Sequence, residues 1–218
     1  YPANSVGDDI EVYGDGTRTN PLAKFNFMRQ QESKSGVYLS LSDFIASKES
    51  GIKDYIGAFA VTTGLGVSKK HDELKKQGDE YNAIMLKVLA DRLAEALAEM
   101  IHEKVRKELW GYSLSENLDC TELFKGKYRG IRPAFGYPSM KDHSEKSKLF
   151  SMLNVKENIN IELTESFMMD PVASVCGLYF SHPESKYFDL GKIGEDQLED
   201  YATRKSCSID FIKKMIRN

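Results

Sequence analysis

The stretch from Asp79 to Leu109 is DEYNAIMLKVLADRLAEALAEMIHEKVRKEL, and it contains neither glycine nor proline. Alanine, leucine, glutamate and lysine dominate it, and these residues have high intrinsic helix propensities. Its apolar residues recur every three or four positions: Tyr81, Met85, Val88, Ala96, Met100 and Leu109, widened by Leu89, Leu93 and Leu97. The pattern predicts one long helix that ends near Gly111 and turns this apolar stripe toward the protein core.

Segments typical of β-strands lie on both sides of this helix. They are Asp9–Tyr13, Lys24–Arg29, the short apolar run Val37–Leu41, Asp54–Thr63, Ile161–Met168, Ala173–Phe180 and Tyr187–Leu190. Two short helices, Glu195–Lys205 and Ser208–Arg217, are expected near the end of the chain. Asp142 and Glu145 have the spacing of a reciprocal helix-capping pair. Because strands cluster instead of alternating regularly with helices, the order favours an α+β fold with a mostly antiparallel sheet.

The composition is that of a globular protein and argues against several classes of function. The 218 residues carry 30 Lys and Arg against 33 Asp and Glu, a net charge of −3, whereas nucleic-acid binding requires a clustered basic surplus. No apolar run approaches the roughly 20 residues of a membrane-spanning helix. We therefore expect neither a nucleic-acid nor a membrane partner.

The cysteines and histidines give no sign of a disulfide framework or a metal site. The three cysteines have no CxxC spacing, and no two of the four histidines are spaced like metal ligands. This cysteine usage fits a reducing compartment, and no signal peptide opens the sequence, so we expect a cytoplasmic protein. Because the sequence starts at Tyr1, we expect a fragment of a longer protein.

Two further segments are weak candidates for chemistry. Gly64-Leu65-Gly66 follows a predicted strand, but position 69 is lysine and no clear helix starts there. A turn into a charged loop is therefore favoured over a dinucleotide site. Glu95, Glu99 and Glu103 lie four residues apart on the long helix, which predicts an exposed acidic stripe with an ion pair to Lys107. Neither a nucleophile elbow nor a phosphate-binding loop motif is present.

The segment Tyr128–Pro138, YRGIRPAFGYP, is the most informative loop of the sequence. Two prolines stiffen it, and an arginine on a rigid loop, Arg132, is suited to bind a carboxylate through two parallel hydrogen bonds. Gly136 permits close approach of the backbone to a ligand, and Tyr137 offers a flat apolar face with a hydroxyl group.

A second loop, SHPESKYF, begins at Ser181 and ends with the aromatic pair Tyr187 and Phe188. Together the two loops could hold a small zwitterion that carries an aromatic base. From the residues alone, two well-packed surface loops without a ligand remain the alternative.

The string GIRPAFGYP, followed by HSEK, resembles the RxxxGY signature of the C-terminal activation domain of cobalamin-dependent methionine synthase. Further segments resemble that domain in order and at similar spacing: YPANSVGDDIEVY, DYIGAFAVTTGL, DRLAEALAEMIHEKVRKELWGY, LTESFMMDP and YFSHPESKYF. The resemblance implies one activation domain over residues 1–218, N-terminally truncated. Its implied fold is a curved, mostly antiparallel sheet with a long central helix and flanking helices, without a Rossmann-type methyltransferase core.

The resemblance also implies a function. The parent enzyme transfers a methyl group from methyltetrahydrofolate to homocysteine through cobalamin, whose cobalt is occasionally oxidised to an inactive form. The activation domain then binds S-adenosylmethionine beside cobalamin, which a neighbouring domain of the same polypeptide holds. Flavodoxin or a flavoprotein reductase supplies the electron, and the methyl group of S-adenosylmethionine restores methylcobalamin.

The ligand contacts that the resemblance implies fall on the positions of this chain that match the family's motifs. Arg132 would bind the methionine carboxylate, Ala134 and the neighbouring main chain would contact the adenosyl part, and Tyr137 would pack beside it. The remaining implied site residues are Gly136 on the same loop, Glu95 on the long helix, and Tyr187 and Phe188, which would close the pocket.

Some positions depart from the family pattern. Phe135 stands where the family often has proline, Ser139-Met140-Lys141 replaces Ala-Cys-Pro, and Asp170 and Val172 replace a common Trp and Gly. The family domain also has a preceding stretch with an aspartate that helps to bind the ligand's amino group. The alternatives are a free-standing S-adenosylmethionine-dependent methyltransferase and a docking module that has lost its ligand.

Overall fold

The computed structural model describes residues 1–33 and 36–216. Its strands are β1 (Pro2–Val6), β2 (Asp9–Tyr13), β3 (Pro21–Asn26), β4 (Asp54–Tyr55), β5 (Gly57–Thr62), β6 (Glu162–Leu163), β7 (Met169–Asp170) and β8 (Ser174–Tyr179). Its α-helices are α1 (Val67–Lys76), α2 (Glu80–Lys104), α3 (Cys120–Phe124), α4 (Lys146–Leu153), α5 (Val155–Ile159), α6 (Glu195–Lys205) and α7 (Ile209–Met215). No helix in this part of the chain is long and apolar enough to cross a membrane.

The named strands pair antiparallel and confirm the predicted α+β class, but they form three sheets. One has the order β3-β2-β1-β4, and the others are the pairs β5–β8 and β6–β7. The predicted strand Asp54–Thr63 therefore divides, since β4 pairs with β1 while β5 pairs with β8. Ile56, between the two, is fully buried in the main hydrophobic core, which joins these sheets to α4 and α5.

The long helix forms as predicted, but the side it buries is not the predicted one. After Lys104 it continues as one π-helical turn, Val105–Leu109. Most of the predicted stripe is exposed to solvent, including Tyr81, Val88 and Met100. The buried positions of α2 are instead the alanines and one histidine: Ala83, Ala90, Ala94, Ala98 and His102. Small side chains let the helix lie close against β5 and β8, where Ala98 packs among Phe59, Val61 and Tyr179.

Several local predictions are wrong for reasons of tertiary packing. A helix, α1, does start directly after Gly66, because Val67–Lys76 packs along α2. Val37–Leu41 and Tyr187–Leu190 are not strands, and Ile161–Met168 contains only the short β6. Helix α6 has the predicted bounds, and Ser208 caps α7 through Phe211 N–H, while Arg217 lies outside the described residues.

The predicted capping pair at Asp142 is half present. Asp142 caps the 3-10 turn His143–Glu145 by accepting from Ser144 N–H. Glu145 does not return the bond to the cap residue, because its carboxylate accepts from Asn26 N–H and pairs with Lys148 and Lys205. These contacts join α6 to the start of α4 and to β3. They hold in place the segment that follows the loop Tyr128–Pro138.

Candidate functional site

The loop that contains Arg132 lies along β8 as an irregular extra strand. Ile131 exchanges two backbone hydrogen bonds of 3.0 Å with Phe180, and Leu178 N–H donates to Pro133 O at 3.2 Å. A Cβ atom at Gly177 would lie 2.3 Å from Pro133 O, so only glycine permits this close approach. The sheet thus fixes the backbone on which the candidate binding residues stand.

Strand-like alternation then decides which side chains of this loop face the core. Ile131 and Phe135 are buried in the main core, and Phe135 packs against Phe25 with ring centroids 6.1 Å apart. Arg132 and Ala134 point to the opposite side, because successive side chains of an extended chain alternate. The family departure at position 135 therefore changes the core side of the loop.

The loop turns sharply at Gly136, where φ is +92°, a conformation that residues with a Cβ rarely adopt. The His143 ring fills the space that a Cβ would need, 2.2 Å from its Cε1, and Lys146 Nζ holds that ring through Nδ1 at 2.7 Å. Gly136 does not line the cavity that opens between this loop and α2. The next residue, Tyr137, does line it, and its side chain is 58% exposed.

A cavity of about 810 Å³ opens between α2, the Arg132 loop and the second predicted loop. It brings together the predicted site residues Glu95, Arg132, Ala134, Tyr137, Tyr187 and Phe188. The rest of its lining is Glu99, Leu123, Phe124, Lys125, Gly126, Tyr128, Pro133, Pro138, Ser139, Val175 and Asp189. Its size, and its combination of aromatic faces with five charged side chains, suit a small polar molecule that carries an aromatic part.

Arg132 is the more buried of the two cationic side chains that line this cavity, the other being Lys125. Its side chain is 17% exposed, and Nη2 donates to Glu99 Oε2 at 2.9 Å. Burial opposes the charged form, but the hydrogen bond and the charge of Glu99 outweigh it and raise the pKa of Arg132. Its backbone N–H donates to the Tyr187 hydroxyl at 2.9 Å. Among the described residues, its buried Nε–H has no hydrogen-bond partner.

A layer of uncharged rings lies beneath Arg132. His102 is fully buried and stacks on Tyr179 with centroids 5.1 Å apart, while Tyr128 meets its ring edge-on. Burial, with the nearby charges of Arg106 and Arg132, lowers the pKa of His102 to about 2, so the ring is neutral at physiological pH. Burial likewise raises the pKa values of Tyr128 and Tyr179. The formal charges near the cavity base are therefore those of arginines and glutamates.

Sequence reasoning missed some of the residues that line the cavity. Glu99 was predicted on an exposed stripe, but its side chain is 28% exposed and paired with Arg132, whereas Glu103 does pair with Lys107 as predicted. Glu99 follows Glu95 by one helical turn, so helix periodicity applied to Glu95 would have found it. Tyr128 begins the loop that the sequence indicated but was given no role there, and no sequence signal indicated α3, which reaches the cavity only through the fold.

The fold and the cavity, with the Arg132 guanidinium in its lining, are those expected of a small-molecule binding domain. The sequence model of the family described as "Vitamin B12 dependent methionine synthase, activation domain" matches residues 1–206, and the chain belongs to this family. The crystal structure of the MetH reactivation domain bound to AdoHcy is similar, with a TM-score of 0.96 and 51% sequence identity. The similarity covers 100% of this chain and 67% of that one. Methionine synthase, of which the family forms a part, is a methyltransferase.

Proposed function

We propose that residues 1–218 form an S-adenosylmethionine-binding reactivation domain that supports reductive methylation of oxidised cobalamin. The observation that supports it most directly is the Arg132 guanidinium at the base of an aromatic cavity, with a buried N–H group that no described residue satisfies. A carboxylate is the natural partner for such a group. The structurally similar MetH domain is described as bound to AdoHcy, which has the same amino-acid end.

Residues of the cavity would contact both the amino-acid end and the adenosyl end of this ligand. The amino-acid carboxylate would bind Arg132, and the adenosyl part would lie along Ala134 and the face of Tyr137. Tyr187 and Phe188 would close the cavity over it, and the carboxylate of Glu95 would stand near the positive sulfonium. When bound, S-adenosylmethionine supplies a methyl group that is activated by this positive sulfur.

The partners follow from the same proposal. Cobalamin would be held by a neighbouring domain of the same polypeptide, and flavodoxin or a flavoprotein reductase would deliver one electron. This chain would supply neither the electron nor the cobalt and would hold the methyl donor in place. A cytoplasmic location stays a prediction from the sequence.

Calorimetric titration of the chain with S-adenosylhomocysteine and S-adenosylmethionine tests the proposal. We expect binding by the parent and a loss of affinity of at least about tenfold in Arg132→Ala. Removing a charge-assisted hydrogen bond costs roughly 1.5–3 kcal/mol, and about 1.4 kcal/mol is tenfold in affinity. Methylthioadenosine, which has no carboxylate, should bind parent and variant equally.

Arg129→Ala is the matched control. Arg129 lies on the same loop, but its guanidinium donates to Ser181 O and Tyr112 O outside the cavity lining. We expect the control to bind both adenosyl amino acids like the parent. The proposal fails if the parent binds none of these ligands, or if both arginine variants lose affinity equally.

A further inference from the structure

We propose that Glu99 is a positioning residue that holds the Arg132 guanidinium in its ligand-facing orientation, and that the buried pair Arg106–Glu116 holds Glu99. The inference deepens the proposed function, on which it rests for the role of Arg132 as the carboxylate-binding group. It assigns a task in ligand recognition to three side chains that touch Arg132 directly or through one another.

The contact between Glu99 and Arg132 leaves most of the guanidinium available. Only Nη2 donates to Glu99, at 2.9 Å, and the Tyr187 hydroxyl fixes the backbone of the same residue. A long arginine side chain has several rotatable bonds, so one charged anchor on its far nitrogen selects a rotamer before ligand arrives. Such preorganisation lowers the entropy cost of binding a carboxylate.

Arg106 attracts the second carboxylate oxygen of Glu99, the one that does not bind Arg132. Its side chain is 0% exposed, and it binds Glu116 through two nearly parallel hydrogen bonds, Nε to Oε2 and Nη2 to Oε1, both 2.8 Å long. Its remaining Nη1 lies 3.9 Å from Glu99 Oε1, an ion pair too long for a hydrogen bond, and neither atom has a hydrogen-bond partner among the described residues. The Arg106 guanidinium stands 4.3 Å from the centre of the Tyr128 ring. Arg106 has no freedom to follow Glu99 if that carboxylate moves.

The four groups form a row of alternating charge: Arg132, Glu99, Arg106 and Glu116. Glu99 is the member that separates two guanidinium groups in a largely buried region, where weakly screened repulsion between like charges is costly. Without the negative charge, Arg132 would be driven away from Arg106 and out of its present orientation. The row accordingly sets the direction of the Arg132 side chain.

Glu99→Gln tests this, with Glu103→Gln as the matched control one turn further along the same helix. Within the described part of the chain, Glu103 pairs with Lys107 alone, at 3.2 Å, and it does not line the cavity. We expect S-adenosylhomocysteine to bind Glu99→Gln about tenfold more weakly than the parent, equivalent to about 1.4 kcal/mol. Methylthioadenosine should bind both equally, and the control should behave as the parent with both ligands.

A measurement without ligand separates this inference from the proposed function. The side-chain 15N signal of Arg132, assigned by its loss in Arg132→Lys, reports rotation about the Nε–Cζ bond. We expect slow rotation in the parent and in Glu103→Gln, and fast rotation in Glu99→Gln. If the parent binds no adenosyl ligand, the proposed function fails while this signal still decides whether Glu99 orients Arg132. The inference is overturned if Arg132 rotates equally fast in the parent and in Glu99→Gln. It is also overturned if Glu99→Gln weakens the binding of methylthioadenosine as much as that of S-adenosylhomocysteine.

Discussion

His102 should make the stability of this chain depend on pH. Its ring is fully buried between Tyr179 and Tyr128, its Nε2 lies 3.3 Å from the Tyr112 hydroxyl, and its neighbouring charges are arginines. Desolvation and the charges of Arg106 and Arg132 therefore lower its pKa from 6.5 to about 2 in the folded state. The folded protein therefore does not bind this proton at mildly acidic pH.

The sign and size follow from proton linkage. As pH falls, the unfolded chain binds the His102 proton first, so the stabilisation is complete above pH 6.5 and is lost progressively toward pH 2. Each pH unit well below 6.5 costs about 1.4 kcal/mol. Between pH 7 and pH 5, His102 should therefore remove about 2 kcal/mol from the free energy of unfolding.

Urea unfolding of the parent and of His102→Phe at pH 7 and pH 5 measures this contribution. Phenylalanine keeps an aromatic ring between the tyrosines but cannot be protonated. The carboxylates that titrate in the same range are common to both proteins, so their effects cancel in the difference. We expect the parent to lose about 2 kcal/mol more than the variant on acidification. Equal losses in the two proteins would refute the argument.

Four further substitutions test the packing of the site and of α2, each by thermal or urea unfolding. Gly136→Ala should destabilise by about 1–3 kcal/mol, because it places a Cβ at positive φ against the fixed His143 ring, and it should also weaken adenosyl-ligand binding. Ala98→Leu should cost about 1–3 kcal/mol by overpacking the contact of α2 with β5 and β8, whereas Leu93→Ala on the 58% exposed side should change stability by less than about 0.5 kcal/mol. A larger effect at Leu93 than at Ala98 would contradict the assignment of the buried side. Arg132→Ala should cost about 1 kcal/mol of stability, since Glu99 loses a partner but keeps contact with water; a cost several times larger would mean that Arg132 is chiefly structural.

The long helix shows which structural features can be predicted from local sequence and which cannot. Helix propensity and the absence of glycine and proline predicted its extent closely, because both act within a few residues. Periodicity failed to identify its buried side, since large apolar residues and alanines each form a stripe on α2. Only the distance to β5 and β8 decides that the narrower alanine stripe is the one that packs.

The residues of the candidate site could likewise be predicted only in part from the sequence. The residues of the two loops indicated Arg132, Tyr137, Tyr187 and Phe188, and the family resemblance added Ala134 and Glu95. The structure places all six around one cavity. At Gly136 the His143 ring fills the space of a Cβ, and the contact of this residue with a ligand stays a prediction.

The sequence by itself determined the α+β class, the long helix, the family and the stiff loop that presents an arginine, because these depend on local propensity and on a contiguous motif. Only the tertiary structure decided that Glu99 pairs with Arg132, that Arg106 and Glu116 stand behind it, and that Tyr128 and α3 line the same cavity. These contacts join residues from separate elements, Glu99 and Arg132 being 33 positions apart. Their free energies depend on burial and on the charges brought near by packing, and neither quantity is a property of any local segment.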